Sequence, residues 1–126
     1  MSRPGIIVVD DEVMIRETVR LSLEHAGFAV TVVEDPAQAF ESVKKSKPAL
    51  VIMDLYMPGF DGRDVCRKLK ADPATADIPV VLFTGSNEAV DVVTGLDSGA
   101  VEYLAKPIDG EVLVRKIRSI LKLSPK

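Results

Sequence analysis

The sequence predicts an α/β fold in which helices cover both faces of a doubly wound, parallel, five-stranded β-sheet. Five short apolar runs alternate with amphipathic stretches along the 126 residues, and such β-then-α units build parallel sheets through right-handed crossovers. The runs at 6–9, 50–53 and 80–83 are apolar throughout, as strands covered on both faces tend to be, and the run at 28–33 is nearly so. The mixed run at 101–104 suits an edge strand.

The stretches between these runs carry signals typical of helices. Asp35 followed by Pro36 is an N-cap with a first-turn proline, and a glycine such as Gly27 or Gly99 commonly follows the last turn of a helix. The predicted helices are one that ends at Gly27, three over about 35–46, 62–70 and 87–98, and a fifth with the apolar stripe Ile108, Val112, Leu113, Ile117, Ile120 and Leu121.

Composition excludes several functional classes. Nineteen acidic and sixteen basic residues give a net charge of −3, which argues against direct, unaided binding of nucleic acid. A single cysteine, Cys66, excludes a disulfide framework, and a single histidine, His25, argues against a histidine metal cluster or a Ser-His-Asp triad. No apolar run approaches the roughly 20 residues that span a bilayer, so we expect a cytoplasmic protein without membrane contact.

Polar side chains follow four of the apolar runs. Asp10 and Asp11 follow the first run, Asp54 the third, Thr84 the fourth and Lys106 the fifth. Ligands of open parallel sheets bind beyond the carboxyl ends of the strands, which share one edge. The sequence therefore predicts that three carboxylates, one hydroxyl and one ammonium group gather there.

The charge of that group indicates a metal site. Three carboxylates and one lysine sum to −2, and carboxylates a few ångströms apart repel by roughly 4 kcal/mol at an effective dielectric near 20. Either one carboxyl binds a proton or a cation lies among them. Oxygen ligands select a hard cation, Mg²⁺ in the first place. Beside Mg²⁺ and a lysine, Asp54 can attack phosphorus and form an aspartyl phosphate.

These residues make the chain similar to a known family: it resembles a response-regulator receiver domain of two-component signalling. The resemblance covers about Gly5 to Leu121 and rests on four pieces in order, IIVVDDE, VIMDLYMPGFDG, VVLFTG and YLAKPI. It implies a flavodoxin-like strand order of 2-1-3-4-5 and a single receiver domain over 1–126. Residues 122–126 would be a tail or the start of a linker.

The resemblance also implies a metal-dependent phosphorylation site. Asp54 corresponds to the phosphorylated aspartate and Asp11 to a direct Mg²⁺ ligand, whereas Asp10 mainly holds metal-bound water. The backbone carbonyl of Tyr56 supplies a further ligand. Lys106 pairs with the phosphoryl group, and its bond to the following proline is cis.

Switch residues follow from the same resemblance. Thr84 moves to bond a phosphoryl oxygen, and Tyr103 turns inward behind it. Tyr56 and Ser86 occupy positions that tune the lifetime of the phosphoryl group, and the bulk of Tyr56 is expected to hinder the hydrolytic water.

The implied function is a phosphoacceptor switch rather than an enzyme acting on other substrates. A histidine kinase or histidine phosphotransfer protein donates to Asp54, and the response changes a partner face made by the fourth helix, fifth strand and fifth helix. We expect Val92 and Val114 to be exposed on that face. The output passes to a downstream protein or to a domain outside this chain, and a phosphorylation-dependent dimer is compatible with the resemblance.

Two alternatives stay open. An aspartyl-phosphate phosphohydrolase would carry a second acid two residues after the nucleophile, where Tyr56 stands. A phosphorylation-independent binding module of flavodoxin type would need a phosphate-cradling loop after the first strand, where Asp10, Asp11 and Glu12 repel phosphate.

Overall fold

The computed structural model describes residues 3–85 and 88–123, and its main sheet has the predicted architecture. Neighbouring strands are parallel throughout, and the order β2-β1-β3-β4-β5 agrees with the flavodoxin-like prediction. The sheet strands are β1 (Gly5–Val9), β2 (Ala29–Val33), β3 (Leu50–Asp54), β4 (Val80–Thr84) and β5 (Glu102–Ala105).

In the described residues five α-helices connect and follow the strands; the second begins four residues later than predicted, and the other predicted bounds agree within about two residues. They are α1 (Val13–His25), α2 (Ala39–Ser46), α3 (Gly62–Ala71), α4 (Ala89–Asp97) and α5 (Gly110–Ile120). Asp35 is the predicted cap and accepts a hydrogen bond from the Ala37 N–H at 3.0 Å, but the turn that it caps is a 3₁₀ turn ahead of α2. Asn87, the predicted start of the fourth helix, and residues 124–126 of the predicted tail lie outside the described residues.

Apolar side chains alternate between the two faces of the sheet, which places one helical layer on each side. The layer formed with α1 and α5 buries Ile6, Val8, Val19, Leu23, Ile52, Val81, Leu113 and Ile117. The layer formed with α2 and α3 buries Ile7, Val9, Val43, Val51, Met53, Cys66, Leu69 and Leu82. Across residues 3–85 and 88–123 there is no helix of the length and apolar character that a membrane span requires.

The edge strands depart from the sequence pattern. In β2, Ala29 and Thr31 are exposed although the run is almost wholly apolar, because β2 ends the sheet and has a neighbour only in β1. At the other edge β5 is shifted by one residue from the predicted run, so that Val101 is exposed and precedes the strand.

The expected exposure of Val92 and Val114 is wrong. Both are partly buried, and Val114 packs against the core. Its side of α5 faces the C-terminal half of α1, where it lines a groove with Ser22 and Ala26. Large apolar side chains of α4 that are exposed include Val90, Val93 and Leu96.

A tight connection joins β3 to α3 and fixes the residues after Asp54. The chain folds back as a two-stranded ribbon, Tyr56–Met57 against Phe60–Asp61, and the Gly62 N–H then donates to the Leu55 carbonyl at 2.6 Å. A Cβ atom at Gly62 would overlap the carbonyl oxygen of Asp54 and lie 3.2 Å from the Cα atom of Leu55. Glycine is therefore required for this backbone approach.

We expect Gly62→Ala to lower the free energy of unfolding by about 1–3 kcal/mol, because the added methyl group forces apart two backbone segments. Urea denaturation measures the change. Gly5→Ala is the matched control, since a Cβ atom there would meet Pro48 at an ordinary 3.8 Å. Equal stability of the two variants would contradict the steric account.

Candidate functional site

The strand ends bring three of the predicted site residues into contact. The Nζ atom of Lys106 lies 2.8 Å from Oδ2 of Asp10 and 3.2 Å from Oδ2 of Asp54. The register explains this meeting, since Val9, just before Asp10, pairs with Met53, and β4 lies between β3, which ends at Asp54, and β5, which Lys106 follows. The lysine is therefore held between carboxylates from two different strands.

Glu12 is a fourth member of this cluster, in which the sequence predicted no role for it. Its Oε1 atom lies 3.0 Å from Lys106 Nζ, although its side chain is 60% exposed. Asp10, Glu12 and Asp54 offer carboxylate oxygens within 4.8 Å of one another. The sequence signal for this role is that Glu12 is the third acidic residue in a row, after Asp10 and Asp11. Spacing alone does not show in which direction its side chain points.

The side chains of Asp10, Asp54 and Lys106 are almost completely buried, at 2%, 5% and 8% exposure. Burial raises the pKa of Asp54 to about 6, and the negative charge of Asp10 adds to this; Lys106 and the Tyr56 backbone N–H act in the opposite direction. Burial by itself lowers the pKa of Lys106, but its hydrogen bonds to Asp10 and Glu12 raise the pKa overall. The lysine thus stays charged while Asp54 is destabilised as an anion.

The loop after β1 is fixed by a second set of contacts, which the sequence pattern does not predict. The Glu12 N–H donates to Oδ1 of Asp10 at 2.9 Å, and Arg16 donates to the Asp10 carbonyl at 3.1 Å. Arg16 is buried and also pairs with Glu34 at 3.1 Å. An arginine one turn into a helix gives no sequence signal for this inward orientation.

The predicted switch residues lie on the two strands beyond β3. Thr84 is buried at the end of β4, and its carbonyl accepts a hydrogen bond from the Lys106 N–H at 2.7 Å. Tyr103 is partly buried and packs against the core beneath α4, where a Cβ atom at Gly95 would lie 3.1 Å from its ring. The Lys106-Pro107 peptide is cis, as the resemblance implied. The movements of Thr84 and Tyr103 stay predictions.

The donor set suits the implied cation. The three grouped residues offer only carboxylate oxygens, which are the ligands that Mg²⁺ prefers, and Lys106 leaves the group at −2. Asp11 is exposed and is not one of these three residues. Its role as a direct ligand, like that of the Tyr56 carbonyl, stays a prediction. Ser86, the second lifetime-tuning position, lies outside the described residues.

Comparisons with known proteins agree on one family. The family profile described as the response regulator receiver domain matches residues 6–118. The transcriptional regulatory protein CseB of Streptomyces coelicolor is 39% identical over 117 residues, which are 93% of this chain and 49% of that protein. The DNA-binding response regulator MtrA of Mycobacterium tuberculosis is 41% identical over 120 residues, 95% of this chain and 51% of that protein. The chain thus spans about half the length of both relatives.

Solved structures show the same similarity. The crystal structure of a putative response regulator from Chloroflexus aurantiacus superposes with a TM-score of 0.91 at 29% sequence identity. The superposition covers 96% of this chain and 99% of that one. The sheet, the helices and their connections therefore follow one arrangement in both proteins.

Asp54→Asn is expected to stabilise the metal-free protein at about pH 7.5, and the advantage should shrink at about pH 4.5. The folded-state pKa of Asp54, about 6, lies above the ordinary value of 3.8. Between those values the native state binds a proton that the unfolded state has lost, so wild type gains stability as the pH falls. Urea unfolding in EDTA at both pH values measures the difference. An advantage that is independent of pH would contradict the raised pKa.

Proposed function

The chain belongs to the response regulator receiver domain family, and on that premise we propose that it is a phosphoacceptor switch whose acceptor is Asp54. The contact that carries the proposal is the ion pair of Lys106 with Asp54, 3.2 Å long, beside the buried Asp10. A carboxylate at the end of a central strand, next to a fixed cation and further acids, is the arrangement that phosphoryl transfer to aspartate needs.

In the proposed transfer, an Oδ atom of Asp54 attacks the phosphorus of a phosphohistidine. The new P–O bond forms as the P–N bond breaks, and the bonding pair stays on the imidazole nitrogen of the donor. Asp54 must be ionised to attack, and a pKa of about 6 leaves most molecules ionised near neutral pH. Lys106 Nζ is close enough to Asp54 to contact an oxygen of the incoming group.

We assign the Mg²⁺ ligands to Asp11, Asp54 and the Tyr56 carbonyl, with Asp10 acting through metal-bound water. When bound, Mg²⁺ offsets the negative charge of the phosphoryl oxygens. Asp10 and Asp54 are already oriented by Lys106, and the Glu12 N–H holds Asp10 in place. This chain's own groups therefore orient Asp10 and Asp54 before any cation binds.

The proposed output begins at Thr84, which lies at the strand end next to Asp54. Its hydroxyl would bond a phosphoryl oxygen and make room for Tyr103, which packs beneath α4. The change would reach the face formed by α4, β5 and α5. Two exposed valines, Val90 and Val93, lie on α4.

The proposed partners are a histidine kinase or histidine phosphotransfer protein upstream and an effector downstream. CseB and MtrA are named as transcriptional and DNA-binding regulators, and each is about twice as long as the segment it shares with this chain. We propose that the output here likewise lies outside this domain, which carries a net charge of −3 and does not itself bind nucleic acid. A phosphorylation-dependent dimer would be one route to that output, in the cytoplasm.

The phosphohydrolase alternative has less support. Its general acid would have to be Tyr56, whose hydroxyl donates to Asp91 at 2.7 Å. That contact with Asp91 raises the pKa of the tyrosine. Tyr56 is therefore unsuited to proton transfer at neutral pH.

Incubation with acetyl phosphate and Mg²⁺ should add one phosphoryl group to the wild type, because acetyl phosphate can replace the protein donor. Intact-mass spectrometry measures the adduct. Asp54→Asn and an EDTA-treated sample should show none, since the first lacks the acceptor and the second the cation. An adduct of unchanged yield in Asp54→Asn would overturn the assignment of the acceptor.

Asp11→Asn should weaken Mg²⁺ binding by about tenfold or more, because it removes a unit charge next to the cation. Glu12→Gln should have a smaller effect, since Glu12 is assigned to Lys106 rather than to the metal. Isothermal titration with Mg²⁺ compares the two variants, which differ from the wild type by the same loss of one carboxylate. A larger loss in Glu12→Gln would transfer the ligand role to Glu12.

A further inference from the structure

The side chain of Tyr56 is held by a residue outside its own loop. Its backbone N–H bonds the carboxyl of Asp54, whereas its hydroxyl donates to Oδ1 of Asp91 in the first turn of α4 at 2.7 Å. Tyr56 is 49% exposed, so burial alone does not fix the position of its ring. It therefore bridges the acceptor loop and α4 along one side of the site.

Arg63 on α3 holds the other side of the tyrosine. Its Nη2 atom lies 3.2 Å from the Tyr56 hydroxyl, and its guanidinium carbon lies 5.3 Å from the centre of the ring. Its Nη1 atom donates to Thr94 at 2.6 Å and to Asp91 at 3.3 Å. One guanidinium thus contacts both the tyrosine and the helix to which the tyrosine is bonded.

The guanidinium is itself fixed. Its Nε and Nη2 atoms bond both carboxylate oxygens of Asp61, with the shortest contact at 2.5 Å. Only 15% of the Arg63 side chain and 11% of the Asp91 side chain are exposed, so these ion pairs are less screened than surface pairs. Charge-assisted, two-pronged hydrogen bonds of this kind hold side chains in a defined geometry.

We propose that Arg63 and Asp91 are positioning residues that hold the ring of Tyr56 beside Asp54, where it slows hydrolysis of the aspartyl phosphate. The inference rests on the proposed function, because it concerns the stability of that same intermediate. In hydrolysis the oxygen of a water molecule attacks phosphorus and the P–O bond to Asp54 breaks. The carboxylate is restored, inorganic phosphate leaves, and the protons of the water stay on phosphate and solvent. A fixed ring keeps water from one side of the phosphorus atom.

The lifetime of the phosphorylated protein tests the proposal. Each protein is loaded with acetyl phosphate and Mg²⁺, the donor is removed by rapid desalting, and loss of the adduct is followed by intact mass. Loss of about one hydrogen bond should speed decay roughly three- to tenfold in Tyr56→Phe, Arg63→Met and Asp91→Ala. Tyr56→Asn, which lacks the ring, should decay at least as fast as these variants.

Arg67→Met is the matched control. Arg67 lies one turn further along α3, is exposed, and pairs with Asp64 rather than with the tyrosine. Its decay should equal that of the wild type. Equal acceleration in Arg67→Met and Arg63→Met would overturn the proposal, because loss of any positive charge from α3 would then suffice.

A double variant separates positioning from a purely structural role. If Arg63 acts through the ring, Arg63→Met should add no further acceleration in a Tyr56→Asn background, whereas a structural effect would act in both backgrounds alike. Normal loading with unchanged decay in Tyr56→Phe and Arg63→Met would overturn the inference alone. Failure of the wild type to load at Asp54 would overturn the proposed function, and this inference with it.

Discussion

The contact of Lys106 with Asp10 and Asp54 is the interaction on which the rest of the site depends. Two buried carboxylates at neighbouring strand ends would each be strongly destabilised as anions without a cation beside them. Lys106 offsets only part of the cost of burying Asp54 and of its repulsion by Asp10, so the pKa of Asp54 stays raised, with burial as the larger cause. The lysine itself is fixed by its backbone, since its N–H bonds the Thr84 carbonyl. The ion pairs of Lys106 and its backbone hydrogen bond to β4 thus both fix the position of the lysine.

The parallel sheet explains why a few residues suffice to build such a site. The residue that follows each strand lies at the same edge of the sheet. Residues that are distant in the sequence, such as Asp10 and Lys106, therefore come into contact there. Tight backbone packing at Gly62 keeps the loop after Asp54 against the sheet. The two helical layers bury the remaining apolar surface and leave that edge to polar groups.

The parts of the site that are set by strand topology could be predicted from the sequence, and those set by side-chain direction could not. Asp10, Asp54, Thr84 and Lys106 follow apolar runs, and the rule for strand ends brings them together. Glu12 and Arg16 lie in the first turns after β1, where sequence spacing does not distinguish inward from outward orientation. The bonds of Arg63 to Asp91 and Thr94 join two helices, and the apolar pattern of neither helix indicates them. Val114 differs from its predicted exposure for a similar reason, because its side chain packs against the core layer shared by α1 and α5.

The packing of α4 has a consequence for the energy landscape of the domain. Its buried positions include Asp91 and Gly95, whereas its valines and leucine at 90, 93 and 96 face outward. Helices α1 and α5 are held by buried apolar side chains, whose exposure costs about 25 cal/mol per Å². Hydrogen bonds that hold α4 can be exchanged for bonds to water at a much smaller net cost. Partial opening of the native state is therefore expected to begin at α4 rather than at α1 or α5.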